Sequence, residues 1–203
     1  MIKKIFVLES SWDSENPLEH HSVMPIITEL TKQRNIKAYH QVFTDAKSFA
    51  HWVAKINDAS TSGSLLYIAA HGNRGSLSGV NGSIQRQTIV RHITRAKNID
   101  FIHFGCCLFG NVSNLELIMK KAKHLTWVAG YEKEVDWVDS SLFDIFLWSR
   151  ISHVARSSMD RKLKTSTIVQ NVIEKQVNGM VKELGFNFAC RYGKNIYLVS
   201  PYE

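Results

Sequence analysis

Short apolar runs alternate along this chain with segments in which apolar residues recur every three or four positions. The first kind has the length of a buried β-strand, and the second has the spacing of a helix with one face in the core. The predicted strands cover residues 4–8, 36–43, 65–70, 101–104 and 126–130. Strands that alternate with helical patterns predict an α/β, three-layer sandwich with a mostly parallel sheet.

Polar residues mark where the predicted helices begin. Thr44 or Asp45 is placed to cap the helix after the second strand. Ser113-Asn114-Leu115-Glu116 has the capping-box pattern and predicts the start of another helix. Residues 72–83 contain four glycines, and because Leu77 and Val80 interrupt this polar run, it predicts a small hairpin or an ordered loop.

The C-terminal part of the chain has a different pattern. A long predicted helix carries Ile173, Val177, Met180 and Leu184 on one face and ends at Gly185. Residues 186–192 and 195–199 then predict a hairpin, which either extends the sheet at one edge or docks against a partner. We therefore divide the chain into an α/β domain, 1–150, and an extension, 151–203, that packs on the same domain.

Composition restricts the function classes. The chain has 203 residues, 25 Lys and Arg against 18 Asp and Glu, and three cysteines. No run reaches membrane-spanning length, the apolar stretch before Glu9 is too short for a signal peptide, and the cysteines lack metal-site spacing. The basic residues are spread out and no base-stacking motif accompanies them, so nucleic acid is not an expected partner. A reducing cytoplasm fits unpaired cysteines best.

Candidate chemistry lies where two of the predicted strands end. The run 65–70 is followed by His71, and the run 101–104 is followed closely by Cys106 and Cys107. Open α/β sheets bind ligands at the carboxyl ends of their strands, and neighbouring strands lie about 5 Å apart. If these two strands are neighbours, an imidazole and a thiol meet there as a general base and a nucleophile.

Two motifs in this region resemble the caspases. The segment from His71-Gly72 to Asn81-Gly82 is similar to the caspase His-Gly loop, with its glycine-punctuated hairpin. Gly105-Cys106-Cys107 resembles the caspase strand that ends in Gln-Ala-Cys, and the Ser-Ala-Cys of CHAT-type proteases. Three short phrases are also similar to a group of uncharacterised bacterial caspase-like proteins: His103-Phe104-Gly105, Gly130-Tyr131 and Val135-Asp136-Trp137.

The resemblance implies a caspase-like sheet and a cysteine endopeptidase that cleaves a protein or peptide without a cofactor or metal. It makes Cys107 the nucleophile and His71 the general acid–base, with the backbone N–H groups of Gly72 and Cys107 holding the oxyanion. It also implies a regulated bacterial effector that is activated by a sensor protein or by cleavage.

The chain departs from the caspase pattern in its substrate-binding residues. Gly105 stands where caspases carry a glutamine that binds an acidic side chain, so aspartate specificity is not expected. Asp136 follows the fifth strand and either lines a pocket for a basic side chain or caps a helix. Glu9 follows the first strand and is expected to shape the substrate cleft. His103 is either a second polar group near the site or, as we expect, a core histidine that bonds to backbone.

Two other functions fit the same residues. A caspase-like interaction module without catalytic activity would keep the fold and use this edge of the sheet to bind a partner. A flavodoxin-like ligand-binding domain would use the glycine-rich residues 72–82, but these lack the phosphate-cradling pattern and an immediate helix. Glu19, His20 and His21 are metal-ligand types without a matching partner set, and we treat them as loop.

Overall fold

The computed structural model describes residues 2–10, 21–157, 171–172 and 174–200. Nine strands are present in these ranges: β1 Lys4–Ser10, β2 Lys37–Phe43, β3 Ser64–Ala69, β4 Ser76–Gly79, β5 Gly82–Gln85, β6 Phe101–Gly105, β7 Trp127–Tyr131, β8 Phe186–Tyr192 and β9 Asn195–Val199. The helices are α1 Met24–Arg34, α2 Ala46–Ala59, α3 Arg86–Arg95, α4 Val112–Lys121, α5 Trp137–Ser157 and α6 Asn178–Leu184.

Seven strands form one sheet in the order β2-β1-β3-β6-β7-β8-β9. The first five strands of this order are parallel, and β8 and β9 continue the sheet in antiparallel fashion. The strand order reverses between β1 and β3, and such points are where open α/β sheets form a crevice at their carboxyl ends. The predicted α/β class and the terminal hairpin at the sheet edge are confirmed.

Two apolar layers cover the faces of the sheet. One layer packs α2, α3 and α4 against it, and the other packs α1, α5 and α6 against the opposite face. Alternate residues of each central strand supply the two layers: Leu66 and Ile68 face the first, and Leu65 and Tyr67 face the second. This alternation on a sheet buried on both sides explains why the central strands are largely apolar.

The hairpin predicted within residues 72–83 is present as β4 and β5, which pair antiparallel. Of the two predicted helix starts, that of α2 has the predicted cap and that of α4 has a different one. Asp45 caps α2, accepting a hydrogen bond from the Ser48 N–H at 2.7 Å. In α4 the cap is Asn111, which accepts from the Asn114 N–H at 3.1 Å. The helix therefore starts at Val112, before the predicted Ser113 box.

The long C-terminal helix is interrupted. Residues 171–172 and 174–175 are helical, but 176–177 form a turn before α6 begins at Asn178. Val177 has φ −140°, outside the helical region, and Gly179 in the next turn disfavours helix. Ile173 lies outside the described residues. Met180 is 38 % exposed, so it does not continue the buried face.

No helix within the described ranges combines the length and the apolar character that membrane crossing requires. The boundary at residue 150 stays a prediction. Helix α5 continues through that position, and β8 pairs with β7 of the central sheet.

Candidate active site

A cavity of about 370 Å³ opens at the carboxyl ends of β1, β3, β6 and β7. Its walls come from the residues that follow these strands and from the end of β3. The lining residues are His21, Val23, Tyr67, Ala70, His71, Gly105, Cys106, Cys107, Val135, Asp136, Trp137, Val138, Ser140 and Ser141. The cavity thus contains four of the predicted site residues, His71, Cys107, Gly105 and Asp136.

His71 and Cys107 reach this cavity because their strands are neighbours. Strands β3 and β6 pair in parallel, with Ala69 opposite Gly105. Two residues beyond each of these positions the chain arrives at His71 and Cys107. The His71 side chain is exposed and that of Cys107 is half-buried, so an imidazole and a thiol border the same space.

Gly72 lies directly against the cysteine segment. A Cβ atom at this position would stand 2.7 Å from the Cys107 carbonyl oxygen, closer than such atoms approach. Gly72 pairs with Leu77, but the hydrogen bonds of this bridge belong to its neighbours: Ser78 N–H donates to the His71 carbonyl, and Asn73 N–H to that of Ser76. The hairpin therefore makes no use of the Gly72 N–H.

The turn after Cys107 has an unusual backbone. The Phe109 N–H donates to the Cys107 carbonyl at 2.6 Å, which closes a three-residue turn around Leu108 at φ +62°. A positive φ at the centre of such a turn is rare and strained for a leucine. The turn is fastened to the end of β7, since Leu108 N–H donates to the Lys133 carbonyl and Gly110 N–H to that of Tyr131.

The two adjacent cysteines have different surroundings. The Cys107 sulfur lies 3.4 Å from the Val135 N–H and 3.8 Å from its carbonyl oxygen, so backbone atoms of the β7–α5 connection fix its position. Cys106 is 2 % exposed and belongs to the layer under α2, α3 and α4. Burial, and then the neighbouring Cys107 and Asp144, raise the pKa of the Cys106 thiol well above its usual range.

Gly105 gives its side-chain space to Tyr67. A Cβ atom at Gly105 would lie 2.1 Å from the Tyr67 hydroxyl oxygen. The ring of Tyr67 is itself held in place, because its hydroxyl donates to Asp144 Oδ2 at 2.7 Å. The position that bears a substrate-binding glutamine in caspases is therefore filled here from the neighbouring strand.

We expect Gly105→Ala to lower the free energy of unfolding by about 1–3 kcal/mol, the usual cost of overpacking a buried site. The added methyl group would displace the Tyr67 ring and break its hydrogen bond to Asp144. Urea denaturation of the two proteins measures the loss. Gly179→Ala is the matched control: its Cβ meets nothing within 4 Å, and alanine stabilises a helix by up to about 1 kcal/mol relative to glycine. Equal stability of Gly105→Ala and the wild type would contradict the contact.

Asp136 and Glu9 occupy different places. Asp136 is exposed at the mouth of the cavity, and its Oδ1 accepts hydrogen bonds from the Val138 and Asp139 N–H groups at 2.8 and 3.1 Å. It therefore caps the start of α5 while it borders the cavity. Glu9 is 3 % exposed and does not itself line the cavity.

Glu9 shapes the cavity wall from behind. Strand β1 extends to Ser10, which places Glu9 inside the sheet and not in the loop after it. Its carboxylate accepts from the Ser22 hydroxyl at 2.7 Å and the Val23 N–H at 3.0 Å, and His40 Nε2 lies 2.8 Å away. Val23 is a wall residue, so Glu9 fixes that part of the wall. Glu19 and His20 lie outside the described residues.

A buried polar cluster beneath the cavity is absent from the sequence-based expectations. Asp144 of α5 is 1 % exposed and accepts hydrogen bonds from the hydroxyls of Tyr67 and Tyr131. His103 Nδ1 accepts from Trp148 Nε1 at 3.0 Å, so the proton of a neutral ring is on Nε2. That atom lies 2.9 Å from Asp144 Oδ1, although its N–H is poorly aligned for a hydrogen bond, so the contact is electrostatic.

His103 is thus a core histidine, as its strand predicts, but its partners are side chains and not backbone. Burial, followed by the charge of Asp144, raises the pKa values of Tyr67 and Tyr131 well above their usual range, so both phenols remain protonated donors. The i+4 spacing of Asp144 and Trp148 on α5 was the available signal, because it places both side chains on one helix face.

No protein-family model matches this chain, and no curated protein matches it in sequence. Among solved structures, the X-ray structure of a secreted C11 cysteine protease from Bacteroides thetaiotaomicron, in complex with an irreversible peptide inhibitor, is similar. The TM-score is 0.52 at 9 % sequence identity, and the match covers 100 % of this chain and 67 % of that chain. The chain has a caspase-like fold.

This likeness shows the fold that the motif resemblance implied, and it does not single out the CHAT-type proteases. The similar protein is described as secreted, so a cytoplasmic location for this chain stays a prediction drawn from its cysteines.

Proposed function

We propose that this protein is a cysteine peptidase in which Cys107 is the nucleophile and His71 the general acid–base. One observation carries the proposal: both side chains border one cavity, at the carboxyl ends of two paired parallel strands. A caspase-like fold with this arrangement supports acyl transfer to a cysteine.

In the proposed reaction His71 takes the Cys107 thiol proton and the sulfur attacks the scissile carbonyl carbon. The tetrahedral intermediate collapses when His71 gives that proton to the leaving amine, and the C–N bond breaks. Water, deprotonated by His71, then attacks the thioester, and the carboxylic acid leaves as Cys107 recovers its proton. The cycle consumes one water and needs no cofactor.

The backbone N–H groups of Gly72 and Cys107 are the proposed oxyanion donors. The Gly72 N–H is not used by the β4–β5 hairpin, and Gly72 itself packs against the Cys107 carbonyl. Two N–H groups close to the attacking sulfur would stabilise the negative charge that develops on the carbonyl oxygen.

The choice of Cys107 over Cys106 rests on exposure and protonation. Cys107 is half-buried at the cavity, while Cys106 is nearly inaccessible and has a raised thiol pKa. A thiol that keeps its proton is a poor nucleophile, because the thiolate is the reactive form. Cys106 is therefore a packing residue in this mechanism.

Three residues have proposed roles in substrate binding. Asp136, at the mouth of the cavity, would accept hydrogen bonds from peptide N–H groups and repel an acidic side chain. No Lys or Arg lines the cavity within the ranges that the structure describes, which also disfavours an acidic substrate residue. Gly105 acts indirectly by leaving space for the Tyr67 hydroxyl at the cavity, and Glu9 acts indirectly by holding Val23.

We further propose that the natural substrate is a protein or peptide and that a sensor protein controls access to the cleft. The motif resemblance is the support for this regulation. An interaction module without catalytic activity is the competing proposal, and the reactivity of the thiol separates the two.

At pH 7 we expect iodoacetamide to alkylate Cys107 at least about tenfold faster in the wild type than in His71→Ala, because an adjacent imidazole generates the thiolate. Peptide mass spectrometry measures the rate at each cysteine in one sample. Cys190, which is 2 % exposed, is the internal reference. His51→Ala removes an exposed histidine from α2 and should change nothing. Equal rates in the wild type and His71→Ala favour the interaction module.

A further inference from the structure

The floor of the cavity, formed by Tyr67, indicates more about which substrate side chain fits than the exposed mouth at Asp136 does. Tyr67 lines the cavity, yet it is only 2 % exposed and belongs to the layer under α1, α5 and α6. Its ring packs edge-on against Trp148 and His103, with centroid distances of 4.9 and 5.5 Å. Tyr67 is therefore a rigid element of the core that also forms part of the binding surface.

A carboxylate lies directly behind this floor. The Tyr67 hydroxyl donates to Asp144 Oδ2 at 2.7 Å, and Asp144 is not among the residues that line the cavity. Tyr131 and His103 occupy the other oxygen. The charge of Asp144 is thus satisfied from within the protein and hidden from the cavity by the ring of Tyr67.

The remaining walls are mostly apolar. Val23, Ala70, Val135 and Val138 face the space, and Asp136 at the mouth directs one oxygen to the start of α5. His21, Ser140 and Ser141 also line the space, but among the described lining residues the carboxylate is that of Asp136, at the exposed mouth. An ammonium group that reaches the Tyr67 floor would therefore lose water without a carboxylate beside it, and this costs far more than burying an uncharged group. At about 370 Å³ the cavity has room for most side chains, so chemistry and not size decides what it accepts.

We propose that Tyr67 is a specificity-determining residue: it separates the substrate from Asp144 and makes the cavity select an uncharged side chain at the residue before the scissile bond. The inference rests on the proposed peptidase function and adds the class of substrate. The proposal also explains why residue 105 is a glycine, because only a glycine leaves space for the Tyr67 hydroxyl at this position.

Two peptide substrates that differ only before the scissile bond test the proposal, one with norleucine and one with lysine. The side chains have nearly the same length and differ by the ammonium group. We expect the wild type to cleave after norleucine with a kcat/KM at least about tenfold higher, the discrimination expected for an unpaired buried charge. A wild type that cleaves after lysine as fast as after norleucine overturns the proposal.

Variants of Tyr67 then identify the determinant. Tyr67→Ala uncovers Asp144, and we expect the ratio to shift at least about tenfold toward lysine. Adding Asp144→Asn should abolish the shift. Tyr67→Phe keeps the ring over Asp144 and should keep the wild-type ratio. Tyr67→Leu replaces Tyr67→Ala if that variant does not fold, as judged by its circular dichroism. A purely structural role would lower both kcat/KM values together and leave their ratio unchanged, which overturns the proposal.

The two proposals fail in different ways. If a norleucine and a lysine acyloxymethyl ketone both leave Cys107 of the wild type unlabelled, the peptidase function is wrong and the inference with it. If Cys107 is labelled and both substrates are cleaved, but the ratio is the same in Tyr67→Ala or Tyr67→Leu as in the wild type, only the role of Tyr67 is wrong.

Discussion

Cys107→Ala is expected to reduce kcat/KM for peptide cleavage by at least about 10³-fold, since a cysteine peptidase without its nucleophile retains only what substrate binding and the oxyanion donors supply. The change removes one half-buried sulfur atom whose contacts are with Val135 backbone atoms. The fold should therefore tolerate it. Initial rates on a fluorogenic peptide library, at equal concentrations of folded protein, measure the effect.

Cys106→Ala is the matched control, because the same atom is removed one residue away. Cys106 packs in the core, so its loss should lower the free energy of unfolding by about 1 kcal/mol and leave kcat/KM within a few-fold of the wild type. The opposite pattern, an active Cys107→Ala or a folded but inactive Cys106→Ala, would show that Cys107 is not the nucleophile.

Asp144→Ala should be strongly destabilising, at about 3–5 kcal/mol. It would leave the buried Tyr67 hydroxyl without its acceptor, leave the Tyr131 hydroxyl with only the Ser140 carbonyl at 3.2 Å, and remove the carboxylate beside His103. Each unsatisfied buried donor has a desolvation cost that water cannot repay in the folded protein. Equilibrium urea denaturation, followed by tryptophan fluorescence, gives the difference.

Asp139→Ala tests whether this loss is specific to the buried cluster. Asp139 lies in the first turn of the same helix but is exposed, so its removal should cost less than about 1 kcal/mol through the helix dipole. A loss below 1 kcal/mol for Asp144→Ala as well would show that the polar cluster contributes little to stability.

The sheet and its layers were predictable because each central strand is buried on both faces. A strand such as β3, with Ser64 to Ala69 fully buried, appears in the sequence as an apolar run, whereas a strand with one exposed face alternates apolar and polar residues. The break before α6 was not predictable from spacing, since Val177 and Leu184 keep the helical period across it. The spacing of apolar residues predicts which face of a helix is buried, but it does not detect a single residue, such as Val177, whose backbone leaves the helical region.

The positions of His71 and Cys107 followed from one rule, that parallel strands end at the same edge of the sheet. The floor of the site could not be found that way. Tyr67 reads as one more apolar strand residue, and Asp144 lies 77 positions further along the chain. Their contact depends on how α5 crosses the sheet, which local sequence does not encode. The left-handed Leu108 also has no signal, because leucine rarely adopts that conformation.

The hydrogen bonds of Leu108 and Gly110 to the end of β7 also bear on motion. They join the segment after Cys107 to Tyr131, the last residue of the buried strand β7, and to Lys133 just beyond it, so the backbone at Cys107 cannot shift without breaking these bonds. The facing wall is held by the Glu9 carboxylate, which accepts from Ser22 and Val23, and by the packing of Val23 in the core. We therefore expect the backbone at Cys107 to keep its position when the width of the cavity changes.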